Sequence, residues 1–294
     1  MRIIKFLFML FFSTTKSFVI RKNYRHKTIA NVNGEPDTFD YKILNLLRKK
    51  STSKETIVDK KNNKPYNVED LDYLKHKKVI SVSPGGIQGF YFMGIVSFIK
   101  DNYDLSNVIF TGASAGAWIS LFSAYKYKTS KIVKDLLDYD YNNVKSILEL
   151  QLYFKDRLLL HYNDGDFDLQ NIYLGVTVLK NLELSTNIFY NFENLEDAID
   201  CCIASSHIPL LTGGFINKYN NEISFDGGFS NMPYLNMNTT ILNINPSLWN
   251  NNFEDYINYN DLLNINSNNF TKMYNNGYRN ANKNRNSLDK IFSI

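Results

Sequence analysis

Thr111-Gly112-Ala113-Ser114-Ala115-Gly116 follows the apolar run Asn107-Val108-Ile109-Phe110 and leads into Ala117-Trp118-Ile119-Ser120-Leu121-Phe122. The apolar run reads as a strand and the small-residue segment after it as a helix, so Gly-x-Ser-x-Gly falls on the turn between them. A strand, a sharp turn and a helix put a serine hydroxyl at the apex of a nucleophile elbow. Gly112 and Gly116 flank Ser114 because side chains there would collide with neighbouring backbone. A helix starting at Ala115 directs its positive end and its free N–H groups toward any negative charge that develops beside Ser114.

Upstream, Lys78-Val79-Ile80-Ser81-Val82 is a short β-branched run suited to a buried parallel strand. It passes into Ser83-Pro84-Gly85-Gly86-Ile87-Gln88-Gly89, and a helical pattern then runs from Phe90 to Ile99. Strand, glycine loop, helix, strand, elbow and helix make a βαβα unit, which implies a parallel sheet covered on both faces. Consecutive glycines after a strand expose backbone N–H groups in an anion-binding nest. The loop lacks the Gly-Lys-Ser/Thr of a Walker site and the full Gly-x-Gly-x-x-Gly of a dinucleotide site. An oxyanion hole beside Ser114 fits this position better, because the elbow lies one βα unit downstream.

A serine nucleophile needs a base. In the usual α/β-hydrolase order a histidine follows near the end of the chain, but none follows His207 here. His207 or His161 would have to act from an unusual place. The other candidate is Asp226, held in the tight turn Asp226-Gly227-Gly228. A carboxylate within hydrogen-bond reach of the Ser114 hydroxyl can accept its proton directly, and burial would raise its pKa and improve it as a base. An ordinary Asp-Gly turn has the same sequence.

Together these boxes resemble the patatin-like phospholipase family over Val79 to Leu248. Pro84-Gly85-Gly86-Ile87-Gln88-Gly89 matches its oxyanion loop, with Gly94 at the glycine that follows in the helix. Gly112-Ala113-Ser114-Ala115-Gly116 matches its elbow. Asp226-Gly227-Gly228 matches its Asp-Gly box, followed by Asn231-Met232-Pro233. Ala204-Ser205-Ser206-His207-Ile208-Pro209 matches its Ala-Ser-rich segment. The resemblance implies a three-layer α/β/α domain with a mainly parallel central sheet. It also implies a Ser114–Asp226 dyad without histidine, with backbone N–H groups of Gly85, Gly86 and Ala115 as the oxyanion hole, acting on glycerolipid or phospholipid esters through an acyl-enzyme, with no cofactor and no metal. Gly89, Gly112, Gly116, Gly227 and Gly228 would support the motifs. Pro84 replaces the usual first glycine, which removes one N–H, and Gln88 stands where a basic residue is usual. Two other readings therefore stay open: an acyltransferase using the same acyl-enzyme, and a lipid-binding protein without turnover. His207 is expected to pack or line the pocket, and Tyr91, Phe92 and Trp118 are candidates for an acyl groove.

The remaining chain divides by composition. Residues 1–20 begin with Arg2 and Lys5, then Phe6-Leu7-Phe8-Met9-Leu10-Phe11-Phe12. They have the proportions of a secretory signal or weak anchor, too short to span a bilayer, or of a buried strand. Residues 21–77 read as a basic, polar, partly ordered extension, 78–248 as the catalytic domain and 249–294 as an Asn-rich tail of little core value. Helices are expected at Lys131–Tyr139, Val144–Phe154 and Asn194–Ala204. Strands are expected at Asn171–Leu179 (pairing Leu184–Phe189), around Asn220-Asn221, and at Thr239–Asn245.

The net charge is only +4, but residues 1–78 carry 18 Lys+Arg against 8 Asp+Glu. A basic front suggests an anionic membrane surface as partner, or only a solvated leader. No basic stripe interleaved with aromatics points to nucleic acid. The adjacent pair Cys201 and Cys202 and the four scattered histidines offer neither a disulfide framework nor a metal spacing. Nothing in the sequence fixes the oligomeric state.

Overall fold

The computed structural model describes residues 55–67, 70–138, 141, 144, 146–181, 183–229, 235, 239–249 and 267–292. The apolar leader at 1–20, most of the 21–77 segment and Asn231-Met232-Pro233 lie outside the described residues.

The βαβα unit forms as expected: β3 (Lys78–Val82), α1 (Gly89–Asn102), β4 (Val108–Gly112) and α2 (Ala115–Ser123) follow in order. Two strands precede it, β1 (Glu55–Asp59) and β2 (Lys64–Tyr66). After it come helices α3 (Thr129–Leu137) and α4 (Ile147–His161), strands β5 (Ile172–Lys180) and β6 (Glu183–Tyr190), and helix α5 (Leu195–Ser205). The hairpin β7 (Asn217–Tyr219) and β8 (Glu222–Phe225) and the strand β9 (Thr240–Ile244) complete the sheet. Asn220 and Asn221 both take positive φ at the hairpin turn, a conformation asparagine tolerates better than most residues. Ser146 and Asn194 cap the N-termini of α4 and α5, accepting from the N–H groups of Glu149 and Asp197.

The sheet runs β2-β1-β6-β5-β4-β3-β9, with β8 and β7 added beside β5. Its centre, β9-β3-β4-β5, is parallel, whereas β6 and β8 pair antiparallel with β5 and β2 pairs antiparallel with β1. The architecture is three-layer α/β/α around a mainly parallel sheet. Strand alternation separates the two faces. Ile80, Val82, Phe110, Leu174 and Val176 enter the large core with the helices, whereas Val79, Ile109 and Tyr173 face a smaller cluster with Leu71, Leu74 and Leu235.

Two expectations need correction. The segment before Lys78 is not merely a polar extension: Ile57 and Val58 are buried, and β1 pairs parallel with β6. The polar neighbours of that strand, rich in Lys and Asn, hid it. The Asn-rich tail likewise contributes to the core. Helices α6 (Ser267–Lys283) and α7 (Arg285–Phe292) dock on α1 and bury Phe270, Ala281 and Leu288. Gly94 of α1 and Gly277 of α6 permit this close approach. A Cβ on Gly94 would lie 2.0 Å from the Tyr274 carbonyl oxygen, and one on Gly277 would lie 2.0 Å from that of Tyr91. Phe270 stacks on Phe90 with ring centres 4.0 Å apart. A few apolar residues at helical spacing therefore outweigh an overall polar composition.

Candidate active site

Two strands running toward each other along one edge of β5 assemble the site. The parallel strand β4 pairs with the first part of β5 and ends at Gly112 opposite Leu174. The antiparallel strand β8 pairs with its later part and ends at Phe225 opposite Thr177. Only Gly175 and Val176 separate the two endpoints. Ser114 follows two residues after Gly112 and Asp226 immediately after Phe225, so residues 112 apart in sequence converge over this gap.

Ser114 is the N-cap of α2 at φ 54 and ψ −125, a strained backbone conformation for a residue with a Cβ. The flanking glycines allow the turn. A Cβ on Gly116 would lie 2.1 Å from the Val82 carbonyl oxygen, and one on Gly112 would lie 2.5 Å from that of Gly116. The Ser114 N–H donates to Ser205 Oγ at 2.8 Å, and Ser205 Oγ donates to the Gly175 carbonyl at 2.6 Å. Ser205 is fully buried. It thus ties the elbow to the gap in β5. The sequence marked this residue only as part of the Ala-Ser-rich segment, without a role.

Asp226 is fully buried. Its N–H donates to the His207 carbonyl at 2.7 Å, and its own carbonyl accepts from Thr177 Oγ1 at 3.0 Å. Oδ1 accepts the Gly228 N–H at 2.7 Å, whereas Oδ2 is buried without a hydrogen-bond partner among the described residues. Burial pushes the carboxyl up to about 7, against smaller lowering effects of the Ser114 hydroxyl and the Gly228 N–H. Desolvation dominates because no cation balances the charge. A carboxyl with that affinity for protons can exchange one near neutral pH. Gly227 is required by space, since a Cβ there would lie 2.3 Å from the Gly175 carbonyl oxygen and 2.4 Å from Ala113 Cβ.

The glycine loop lies beside the elbow. A Cβ on Gly89 would lie 3.3 Å from Ala115 Cβ. Gly86 takes φ +54, and the N–H groups of Gly85, Gly86 and Ala115 make no hydrogen bond among the described residues. Gly86 and Ala115 line the same cavity as Ser114 and Asp226, while Gly85 does not. Gly85 instead packs under Phe92, whose ring would lie 2.7 Å from a Cβ at that position.

That cavity, about 140 Å³, is walled largely by apolar side chains from α1 to α4. Trp118 lines it, as expected of one of the three aromatic candidates. Tyr91 and Phe92 do not: the Tyr91 hydroxyl donates to the Leu248 carbonyl at 2.7 Å. Phe90 and Met93 take their places. Helix α4 supplies Leu150, Gln151, Phe154 and Leu158 to the wall, a contribution that helical periodicity alone does not reveal. His207 packs inside and is absent from the cavity wall, and burial lowers its pKa. Its carbonyl, not its imidazole, serves the site. His161 sits exposed at the end of α4. No cluster of His, Cys, Asp or Glu that could hold a metal occurs among the described residues.

The family model described as Patatin, patatin-like phospholipase, matches residues 80–237, which include the glycine loop, the elbow and Asp226. No curated protein matches the chain.

Proposed function

The chain belongs to the patatin-like phospholipase family, and on that premise we propose that Ser114 and Asp226 cleave fatty-acyl esters of glycerolipids or phospholipids as a two-residue machine. The family supports hydrolysis of lipid acyl esters with lipid as the substrate class. The observation that carries the finer reading is the buried Asp226 carboxyl. One of its oxygens accepts the Gly228 N–H, the other makes no hydrogen bond of normal geometry among the described residues, and the Ser114 hydroxyl is close enough to lower the carboxyl's pKa.

In the proposed reaction Ser114 Oγ attacks the ester carbonyl carbon and its proton passes to Asp226 Oδ2. The developing oxyanion is held by N–H groups of Gly86 and Ala115, with Gly85 as the third candidate, at the positive end of α2. Collapse breaks the bond to the alcohol, which leaves with the proton from Asp226, and the acyl chain stays on Ser114 in the apolar cavity. Water then gives its proton to Asp226 and its oxygen to the carbonyl carbon. Fatty acid departs as Ser114 recovers its proton. Turnover in this reading survives Pro84, because the following two N–H groups make no hydrogen bond among the described residues and can serve the oxyanion. Gln88 is 6% exposed and outside the cavity wall, so it supplies no contact to the acyl chain.

A membrane surface is the proposed source of the substrate. Leu210 is 60% exposed between the cavity-lining Ile208 and Leu211, and Leu152, Leu159 and Leu160 are exposed on α4. No described helix is long and apolar enough to cross a membrane.

Covalent labelling by a fluorophosphonate probe tests the dyad in wild type, Ser114→Ala and Asp226→Asn. Labelling should require Ser114 and fall at least tenfold in Asp226→Asn. A folded wild-type protein that takes no label would overturn the proposal.

A further inference from the structure

The acyl cavity holds more unpartnered polar atoms than the proposed chemistry needs. They fall in two groups. Asp226 Oδ2 and Ser206 Oγ are buried without hydrogen-bond partners among the described residues. Both sit at the reacting end, since Ser206 lies between the residue that holds the Ser114 N–H and the residue whose carbonyl holds the Asp226 N–H. Gln151 Oε1 and Trp118 Nε1 are also buried without partners, and the reaction does not use them.

Trp118 lies one turn into α2 from Ser114, and its backbone N–H donates to the Ser114 carbonyl at 3.4 Å. Gln151 is on α4 and only 5% exposed. Phe154 flanks both positions. Its ring centre is 5.9 Å from that of Trp118, and it stands three residues along α4 from Gln151, on the same helix face. Both Trp118 and Gln151 line the cavity, among Phe90, Met93 and Phe154. A buried amide oxygen without a partner costs stability, and leucine or methionine would fill such a wall at no such cost. An indole N–H only donates, and a glutamine amide both donates and accepts. The ligand group that satisfies both orphan atoms is a hydroxyl, which accepts from the indole N–H and donates to the Gln151 amide oxygen.

We propose that Trp118 and Gln151 form a hydroxyl-binding subsite about one helical turn from the nucleophile, and that the preferred lipid places a hydroxyl there. The hydroxyl belongs either to the acyl chain near its carbonyl or to a partly acylated glycerol. This inference rests on reading the cavity as an acyl site, but its test does not depend on turnover.

The test uses the full chain carrying Ser114→Ala, so that no ligand is consumed, and measures displacement of a fluorescent fatty acid. One ligand pair is stearate against a stearate hydroxylated near its carboxyl end. The other is monostearoylglycerol against methyl stearate. The hydroxylated member of one pair should bind roughly 5- to 10-fold tighter, the worth of one or two hydrogen bonds. A preference in the first pair assigns the hydroxyl to the chain, and in the second to glycerol. Adding Gln151→Leu, or separately Trp118→Phe, should bring the ratio close to one, and the second variant keeps the test open where the first fails to fold. Equal binding within both pairs, as expected where water alone occupies the subsite, overturns the proposal, as does a preference that survives either substitution. Fluorophosphonate labelling of wild type reports on the dyad separately. A hydroxyl preference without labelling leaves the subsite standing and removes the dyad, and labelling without a preference does the reverse.

Discussion

Replacing Asp226 by asparagine should make the protein more stable at alkaline pH while removing its activity. The carboxyl is fully buried, with its pKa raised from 3.8 to about 7. The folded state therefore binds this proton more tightly than the unfolded chain. Between pH 3.8 and 7 unfolding releases it, so the contribution to stability is intact below about pH 4, declines as pH rises, and levels off above 7. A shift of about three units at roughly 1.4 kcal/mol each amounts to at most about 4 kcal/mol of destabilisation in the alkaline range. Asparagine carries no such charge. Its carbonyl oxygen can keep the Gly228 N–H now held at 2.7 Å, and its amide nitrogen replaces Oδ2 beside Ser114. Urea unfolding of both proteins at pH 4.5 and 8.5 should show the advantage of Asp226→Asn growing by about 3 kcal/mol between the two conditions. If Asp226 is the base of the proposed dyad, the same ionisation governs activity: ester hydrolysis by wild type should rise with pH through about 7, where the base form appears. An advantage of equal size at both pH values, or a variant less stable than wild type at pH 8.5, would refute the claim that desolvation governs this carboxyl.

Ser114→Gly relieves the positive φ of the elbow and should stabilise the fold by about 1 kcal/mol while abolishing labelling; a lower melting temperature would contradict the strain. Gly94→Ala places a Cβ against the Tyr274 carbonyl and should cost about 3 kcal/mol or detach the C-terminal helices. Unfolding curves and proteolysis within residues 267–292 would read this, and an unaltered pattern would mean that α1 and α6 do not touch as described. Ser205→Ala removes the acceptor of the Ser114 N–H and the donor to Gly175. It should lower kcat about 10- to 100-fold with little change in KM, corresponding to roughly 1.4–2.8 kcal/mol of lost positioning. A rise in KM at constant kcat would assign Ser205 to substrate binding instead.

Much of the frame was legible in the chain alone. The β-branched run at Val79–Val82, the glycine loop and the elbow specify a βαβα unit by local chemistry, since period, turn residues and helix start all agree over about 45 residues. The same holds for the β5–β6 pairing and the β7–β8 hairpin, whose partners are near neighbours in sequence. Residues 55–59 and 267–292 were misjudged because their apolar residues are few and widely spaced, and their burial depends on surfaces made elsewhere: β1 on β6, and α6 on the glycine-lined face of α1.

The sequence by itself determined which residues could form the site: a serine on a strained turn, an aspartate in a glycine turn, and a loop with free amides. Such features are local, because backbone strain and unpaired N–H groups depend on a few neighbouring residues. Only the tertiary structure decided that Ser114 and Asp226 meet, through two strands approaching along the same edge of β5. It alone excluded the His207 imidazole from the cavity, buried Asp226 deeply enough to change its proton affinity, and made Gln151 and Trp118 lining residues of the same cavity. These are effects of burial and of long-range pairing. Desolvation is a property of everything packed around a group, and no window of sequence contains it.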